Sequence, residues 1–397
     1  MLRQVIIVIA LSVLFGGTSL ISLGSYNIPL DPAVLKLRYL LVASSLLILI
    51  LMSPFKQWGF HRQARPLLLL WMLFGCALVV SGLVNNDKAV FTNGFWQMIA
   101  VPLVFFNALP KAMKENANIL MGMGLFLGHT PYIVTSLVSS PPGNGTLYRG
   151  VFANSNQMGF TCATMSAGLF ILLIGAWFAK KLSLYLWLIA AGLFSTFMLI
   201  ILANSRTSMM VCFIMLAMFF WQVLKNPIAV KKMITIVAVS VTTILLFGGE
   251  QIEAISKSLN NNFEAKEGLS GRDHIWGQTL DESDLVGHGT NYFQLNFGLG
   301  GHNTIIEVIG QNGIIAAYLL VAFGSASFFY SYAYFKTYIK EDCAAIAPFL
   351  ITVCFWFLSM AEGMFGSLGN AMTLAYMLSV GIVISKPLET KSRKAEI

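Results

Sequence analysis

The sequence predicts an all-α, polytopic membrane protein, and three properties of the chain support this fold class. Of its 397 residues, 57% are hydrophobic and only 11% are charged, and the mean hydropathy is +0.74. Soluble globular domains carry about 25% charged residues, and disordered chains need low hydrophobicity. The apolar residues also gather into runs of about 20, the length that crosses a bilayer as a helix. We therefore treat 1–397 as a single integral membrane domain.

Twelve apolar runs predict about twelve transmembrane helices. The run 38–53 is short, and the run 94–109 contains Pro102, so it is either a full span or a partial or re-entrant helix. The first run is not followed by a small-residue cleavage site in a polar stretch, which favours a retained span over a signal peptide. The predicted spans are 4–23, 38–53, 66–84, 94–109, 117–138, 157–178, 183–203, 207–224, 230–248, 303–330, 344–361 and 366–385.

Charge asymmetry predicts the orientation of these spans. With both termini in the cytoplasm, 17 of the 25 Lys and Arg residues lie on the cytoplasmic side, but only 5 of the 17 Asp and Glu residues do. This distribution follows the positive-inside rule. The net charge of +8 then lies against anionic membrane lipids, and no nucleic-acid partner is needed to explain it. The five cysteines lack CxxC spacing, so neither a disulfide framework nor a zinc site is predicted.

Two loops that are long enough to build a site share the non-cytoplasmic face. The polar loop 249–302, between spans nine and ten, contains most of the acidic residues of that face, and short helices are predicted at 251–259 and 273–280. The second loop, 139–156, is rich in Ser, Pro and Gly. The remaining connections are short, so we expect the active site on this face.

Three arginines lie on the face where the positive-inside rule disfavours them: Arg149, Arg206 and Arg272. A guanidinium group offers a permanently charged planar fork that suits phosphate oxygens, so three converging arginines can hold a diphosphate. Each arginine taken alone is better explained by pairing with a local acid such as Asp273, or by reaching a lipid phosphate.

His302 and Asn303 begin span ten, after two glycines. A neutral imidazole can accept a proton from a hydroxyl group, and Asn303 is a suitable helix N-cap. Glu307, about one turn further on, is placed to orient or charge-stabilise the site. An isolated interfacial histidine more often forms a hydrogen bond with a loop carbonyl.

Other acidic residues leave alternatives open. Asp281, Glu282 and Asp284 resemble an acid/base or metal site, but such a run is usually a solvated loop face. Glu362, near the outer end of span eleven, is either a proton relay or a helix-packing contact. The chain lacks the G-x-x-x-x-G-K-[ST], H-E-x-x-H and G-x-S-x-G motifs. A sugar nucleotide or ATP is therefore not expected as a substrate, and no cofactor is predicted.

In their order and spacing, these motifs resemble those of the bacterial O-antigen ligase and O-antigen polymerase superfamily, membrane glycosyltransferases of similar span count. The family's His-Asn, nine residues, then Gly is met by His302, Asn303 and Gly313. Ala316 stands where many members have Gly, and ligase and polymerase both remain open. The other matching residues are Arg149, Gly150, Phe152, Asn154 and Asn156, then Ser205-Arg206, then Arg272 with Trp276, and then Gly287-His288-Gly289.

The resemblance implies transfer of a glycan from undecaprenyl diphosphate, with inversion and without a metal, at the periplasmic face of the bacterial inner membrane. The acceptor is a hydroxyl of lipid A-core in a ligase, or another glycan repeat in a polymerase. A polysaccharide or lipid-glycan transporter is the alternative. A carrier, however, is expected to have ionisable groups near the midplane of the bilayer. A third possibility, a structural scaffold, would leave the arginines and His302 unexplained. The implied roles are His302 as general base, Arg206 and Arg272 as diphosphate ligands with Arg149 in support, and Asn303, Glu307, Asn154, Asn156 and Trp276 as supporting residues.

Overall fold

The computed structural model describes residues 2–23, 32–139, 147–178, 183–224, 272–365 and 370–388. In these ranges the regular structure is helical, with one isolated β-bridge between Leu23 and Phe152. The all-α prediction is therefore confirmed for the part of the chain that the structure describes. We number the helices α1 (Leu2–Ser19), α2 (Pro32–Leu51), α3 (Arg65–Val84), α4 (Lys88–Met113), α5 (Ala117–Ser139), α6 (Ser155–Phe178), α7 (Ser183–Leu202), α8 (Arg206–Leu224), α9 (Arg272–Asp281), α10 (Tyr292–Phe297), α11 (Thr304–Tyr338), α12 (Ala347–Ser359) and α13 (Ala371–Ile384).

Eight of the described helices are long and apolar enough to cross a membrane: α1, α3, α4, α5, α6, α7, α8 and α11. Two shorter apolar helices, Cys343–Ser359 and α13, accompany them. The protein is therefore a membrane-embedded helical bundle. The predicted span 230–248 lies outside the described residues, so the count of twelve stays a prediction.

The helix α4 resolves the ambiguity at Pro102. It is one continuous run of 26 residues, with a π-helical segment at Val101–Ala108. Proline lacks a backbone N–H and disturbs regular α-helix, and a locally wider helical turn accommodates such a disturbance. The run 94–109 thus belongs to a helix that is long enough to cross the membrane.

The bundle is organised around α6, which is almost entirely buried and packs against α5, α7 and α8. Elsewhere the helices approach closely through small residues. A Cβ atom on Gly16 of α1 would lie 2.6 Å from the carbonyl oxygen of Gly128 of α5. Because lipid tails are as apolar as the side chains, close packing of this kind is a main source of helix association in a bilayer.

The helix α11 is broken at Gly313, and the loop 284–289 fills the break. Gly313 has φ 89° and ψ 172°, a backbone conformation that favours glycine. The interruption frees backbone groups that must find other partners. Four hydrogen bonds supply them: Ile314 N–H to Asp284 O (2.9 Å), Ile315 N–H to Leu285 O (3.5 Å), His288 N–H to Gly310 O (2.9 Å) and Gly289 N–H to Gln311 O (2.9 Å). Gly313 and Gly287-His288-Gly289 therefore belong to one structural unit.

The described part of the predicted loop 249–302 packs onto the start of α11. The helix predicted at 273–280 is present as α9, whereas 251–259 lies outside the described residues. A small buried cluster of Ile275, Tyr292, Phe293 and Ile306 joins α9 and α10 to α11. This cluster holds the first residue of α9, Arg272, near the beginning of α11. Of the predicted loop 139–156, residues 140–146 lie outside the described residues.

Candidate active site

A polar cleft of about 230 Å³ lies at the end of the bundle where α8 and α9 begin and α12 ends. Its charged lining residues are Arg206, Arg272 and Glu362. Two guanidinium groups and one carboxylate make this cleft suitable for an anionic ligand. The other lining residues are Asn156, Phe160, Asn204, Ser205, Thr207, Ser208, Trp276, Leu358, Met360 and Ala361.

Arg206 is placed by the tight turn between α7 and α8. Asn204 has φ 50°, in the left-handed region that asparagine tolerates better than most residues. The chain therefore reverses within a few residues, and Arg206 becomes the exposed first residue of α8. Asn204 itself is buried, and its Nδ2 atom has no hydrogen-bond partner among the described residues.

Arg272, the first residue of α9, reaches the turn that follows α12. Its Nη1 atom donates a hydrogen bond to the carbonyl oxygen of Ala361 at 3.2 Å. Trp276, one turn later, donates from Nε1 to the carbonyl oxygen of Gly301 at 2.8 Å. Among the described residues no ion pair joins Arg272 to Asp273. These contacts fix α9 across two separate segments and leave the Arg272 guanidinium in the wall of the cleft.

His302 lies beside Glu362. Its Nδ1 atom is 3.5 Å from Glu362 Oε2, and the two side chains are 34% and 35% exposed. His302 has φ 49°, a region that non-glycine residues rarely occupy. Uncommon backbone conformations of this kind cluster at functional sites, where the surrounding contacts must stabilise them. His302 is not itself among the residues that line the cleft; its imidazole is partly exposed and adjoins the cleft through its contact with Glu362.

Polar contacts of Asn303 and Thr304 join the beginning of α11 to the same turn. The Asn303 side chain accepts hydrogen bonds from the N–H groups of Ile305 and Ile306, which confirms the predicted N-cap. Its Nδ2 atom donates to the carbonyl oxygen of Met360 at 3.2 Å. The Thr304 hydroxyl donates to the carbonyl oxygen of Glu362 at 2.9 Å. These bonds determine which side chains of the turn can reach His302.

Glu307 supports the backbone of His302. One carboxylate oxygen accepts a hydrogen bond from the His302 N–H at 3.3 Å. The rest of the side chain lies against Gly301 and Gly363, where an added Cβ would overlap it. Glu307 also borders a second, smaller cavity between α4 and α11. The location of Glu307 fits an orienting role, because its carboxylate binds the backbone N–H of His302.

The segment that precedes α6 contributes less to the cleft. Arg149 is exposed there and is not among the residues that line the cleft. The side chain of Asn154 accepts a hydrogen bond from the N–H of Gln157 at 2.8 Å, as an N-cap does. Asn156 does line the cleft. Of Arg149, Asn154 and Asn156, only Asn156 thus lines the cleft.

The acidic cluster forms structural bonds within its loop. Asp284 accepts hydrogen bonds from the N–H groups of Val286 and Gly287. Glu282 accepts from Gln278 and from the Tyr292 hydroxyl, both at 2.7 Å, and these bonds lower the pKa of Glu282. Burial, together with the bond to Glu282, raises the pKa of Tyr292 to about 12. In the described part of the chain, no group of His, Cys, Asp and Glu side chains could hold a metal ion.

The pairing of His302 with Glu362 is the feature that sequence reasoning missed. Glu362 stood out only as an acid near the end of a span. The two residues are far apart in the chain, and helix periodicity contains no information about which turn meets which helix start. Asn204 was also missed, although its place in a tight turn beside Arg206 was a usable signal.

No model of a protein family matches the chain, and the search of curated proteins found no match. The residues and geometry of the cleft are therefore the basis for proposing a function.

Proposed function

We propose that the protein transfers a glycan from a polyprenyl diphosphate, undecaprenyl diphosphate in a bacterial membrane, to an acceptor hydroxyl. One observation carries this proposal: Arg206 and Arg272, from separate segments of the chain, line one cleft, and the carboxylate in its wall contacts His302. The proposed orientation has cytoplasmic termini and a cleft at the periplasmic face of the inner membrane. Lipid A-core or a growing glycan is the proposed acceptor.

The two arginines suit the departing group. When the bond between the anomeric carbon and phosphate oxygen breaks, negative charge accumulates on the diphosphate. Preorganised donors at the place where charge develops commonly supply the largest catalytic effect. Arg272 is already oriented by its bond to the Ala361 carbonyl, and its remaining N–H groups can face the cleft. Arg206 adds a second guanidinium at the N-terminal end of α8, where the helix dipole also favours an anion.

His302 suits the role of general base in the same step. The acceptor oxygen forms a bond to the anomeric carbon while the bond to the diphosphate oxygen breaks, and the hydroxyl proton passes to the imidazole. A direct displacement of this kind inverts the anomeric configuration. A correctly placed general base contributes about 10²- to 10⁴-fold to a rate.

An adjacent apolar groove supports a lipid-borne substrate. It has a volume of about 340 Å³ and runs between α11 and α12, from Asn303 and Met360 at its upper end to Phe328 and Phe329. Met360 lines both this groove and the polar cleft. A substrate with a charged head and a hydrocarbon tail can therefore occupy both without leaving the bilayer.

The interruption of α11 is the observation that favours the alternative function, a transporter. Broken helices near substrate sites are typical of secondary transporters. In this protein, however, the loop 284–289 forms hydrogen bonds with the backbone groups that the break at Gly313 frees. The charged residues of the cleft also lie at helix ends. These two features favour transfer at the membrane edge over transport through the bundle.

Reconstitution tests the proposal. The purified protein in liposomes would receive undecaprenyl-diphosphate glycan, with lipid A-core or free glycan repeats as acceptor. We expect one transfer onto core from a ligase, or a ladder of products from a polymerase. His302→Ala should abolish transfer without reducing membrane abundance. Arg62→Ala should remain active, because Arg62 lies just before α3, on the proposed cytoplasmic side. Movement of intact lipid-linked glycan across the bilayer without product formation would refute the proposal and favour a transporter.

A further inference from the structure

The carboxylate of Glu362 lies in a cleft whose other charged lining residues are arginines. A carboxylate there opposes binding of an anion, since like charges at short range repel. An acid that served only to pack helices would not need this location. Its side chain instead approaches the His302 ring, with Oε2 at 3.5 Å from Nδ1.

We infer that Glu362 is a positioning residue, which orients the His302 imidazole and stabilises its protonated form through Nδ1. This inference rests on the proposed function. When Nδ1–H faces the carboxylate, the lone pair lies on Nε2, so that nitrogen is the one that takes the acceptor hydroxyl's proton. The imidazolium that results is paired at once with the negative charge of Glu362. A hydrogen-bonded partner at one ring nitrogen determines the role of the other in this way.

The main chain around Glu362 makes the placement specific. Its carbonyl oxygen accepts a hydrogen bond from the Thr304 hydroxyl, and its N–H donates to the carbonyl oxygen of Leu358 at 3.1 Å. Both bonds use backbone atoms, so exchange of the side chain leaves them in place. The substitution Glu362→Gln therefore removes the negative charge and keeps the shape of the turn.

Three charged groups lie around the imidazole in the described residues. Glu362 approaches the ring, Glu307 accepts a hydrogen bond from the His302 N–H, and Arg272 contacts the neighbouring Ala361 carbonyl. Glu307 and Arg272 are unchanged in the variant. A change in the pH dependence of Glu362→Gln therefore reports the loss of one carboxylate beside His302.

Kinetics of the reconstituted enzyme test the inference. Glu362→Gln should lower kcat at neutral pH by about 10-fold or more, since general-base catalysis contributes about 10²- to 10⁴-fold. The KM for undecaprenyl-diphosphate glycan should stay the same or fall, because a negative charge has left the anion cleft. The acidic limb of the pH–rate profile should move to lower pH, because the carboxylate 3.5 Å from the imidazole has lost its negative charge. Glu362→Asp, which retains the charge, should keep the wild-type acidic limb, and Asp281→Asn is the matched control without effect.

Chemical modification of His302 is a second test, and it does not depend on glycan transfer. Diethyl pyrocarbonate modifies neutral imidazole, so the pH dependence of His302 modification, followed by peptide mass spectrometry, reports the ring directly. The modification midpoint should move to lower pH in Glu362→Gln and should stay at the wild-type pH in Glu362→Asp. Unchanged midpoints in both variants, or a raised donor KM with an unchanged acidic limb, would overturn the inference. If the wild type transfers no glycan, the proposed function fails, but the modification experiment still decides whether the pair exists.

Discussion

Substitution of Gly313 by alanine should destabilise the junction between α11 and the loop 284–289. Gly313 has φ 89° and ψ 172°, a backbone region that is essentially restricted to glycine, and another residue there costs about 1–3 kcal/mol. An alanine Cβ would also overlap the carbonyl group of Leu285, so the loop must move away. That movement breaks the four backbone hydrogen bonds that fill the interruption, each with a net contribution of about 1 kcal/mol.

The expected loss is therefore about 5–7 kcal/mol when all four bonds break, and less when the loop shifts only partly. This loss is comparable to the lower end of the total stability of a folded domain, about 5–15 kcal/mol. We expect a lower unfolding temperature in detergent, together with faster hydrogen exchange in the segments 284–290 and 310–316. Because His302 lies two residues before the start of α11, glycan transfer should also fall.

Two glycine controls separate the causes. Gly298 has φ 66° with open space around an added Cβ, so Gly298→Ala tests a positive φ without steric overlap. Gly277, within α9, also has open space and no positive φ, so Gly277→Ala should be neutral or slightly stabilising. If Gly313→Ala unfolds at the same temperature as Gly277→Ala and both segments keep their exchange rates, α11 and the loop 284–289 do not form one structural unit.

Two further predictions concern the cleft and its loop. Arg206→Lys and Arg272→Lys should each raise the KM for the lipid-linked donor by roughly 10-fold. The ammonium group of lysine is a point charge without the bidentate fork, and a hydrogen bond to a charged group contributes about 1.5–3 kcal/mol. Unchanged KM values would contradict the diphosphate role. The bond between Glu282 and Tyr292 should make loop stability depend on pH at both extremes. Because the pKa of Glu282 is lowered, its contribution is present above the ordinary carboxyl pKa and is lost as the pH falls through the folded value. Because the pKa of Tyr292 is raised to about 12, its contribution is lost as the pH rises from about 10 through 12. Hydrogen exchange of the segment 282–292 would measure the loss of loop stability at low pH and at high pH. Glu282→Gln should remove the loss at low pH.

Features that depend on neighbouring residues in the chain were predictable. The apolar runs predicted the membrane helices, the helix at 273–280 is present as α9, and Asn303 caps α11 as expected. Each of these follows from side-chain pattern and capping chemistry over a few turns. The prediction for 94–109 was ambiguous, because the sequence alone does not show whether Pro102 ends a helix or is absorbed in a π-helical segment.

The composition and the order of apolar and polar segments determined that this chain is a helical membrane protein with its candidate site at helix ends. The tertiary structure decided which of the singled-out residues meet. It brought Arg206, Arg272 and Glu362 into one cleft, placed His302 against Glu362, and left Arg149 outside the lining. Hydropathy determines where the membrane helices form, because each apolar run enters the bilayer according to its own residues. The pairing of one turn with another depends on how helices pack through contacts such as Gly16 with Gly128, and no local pattern encodes it.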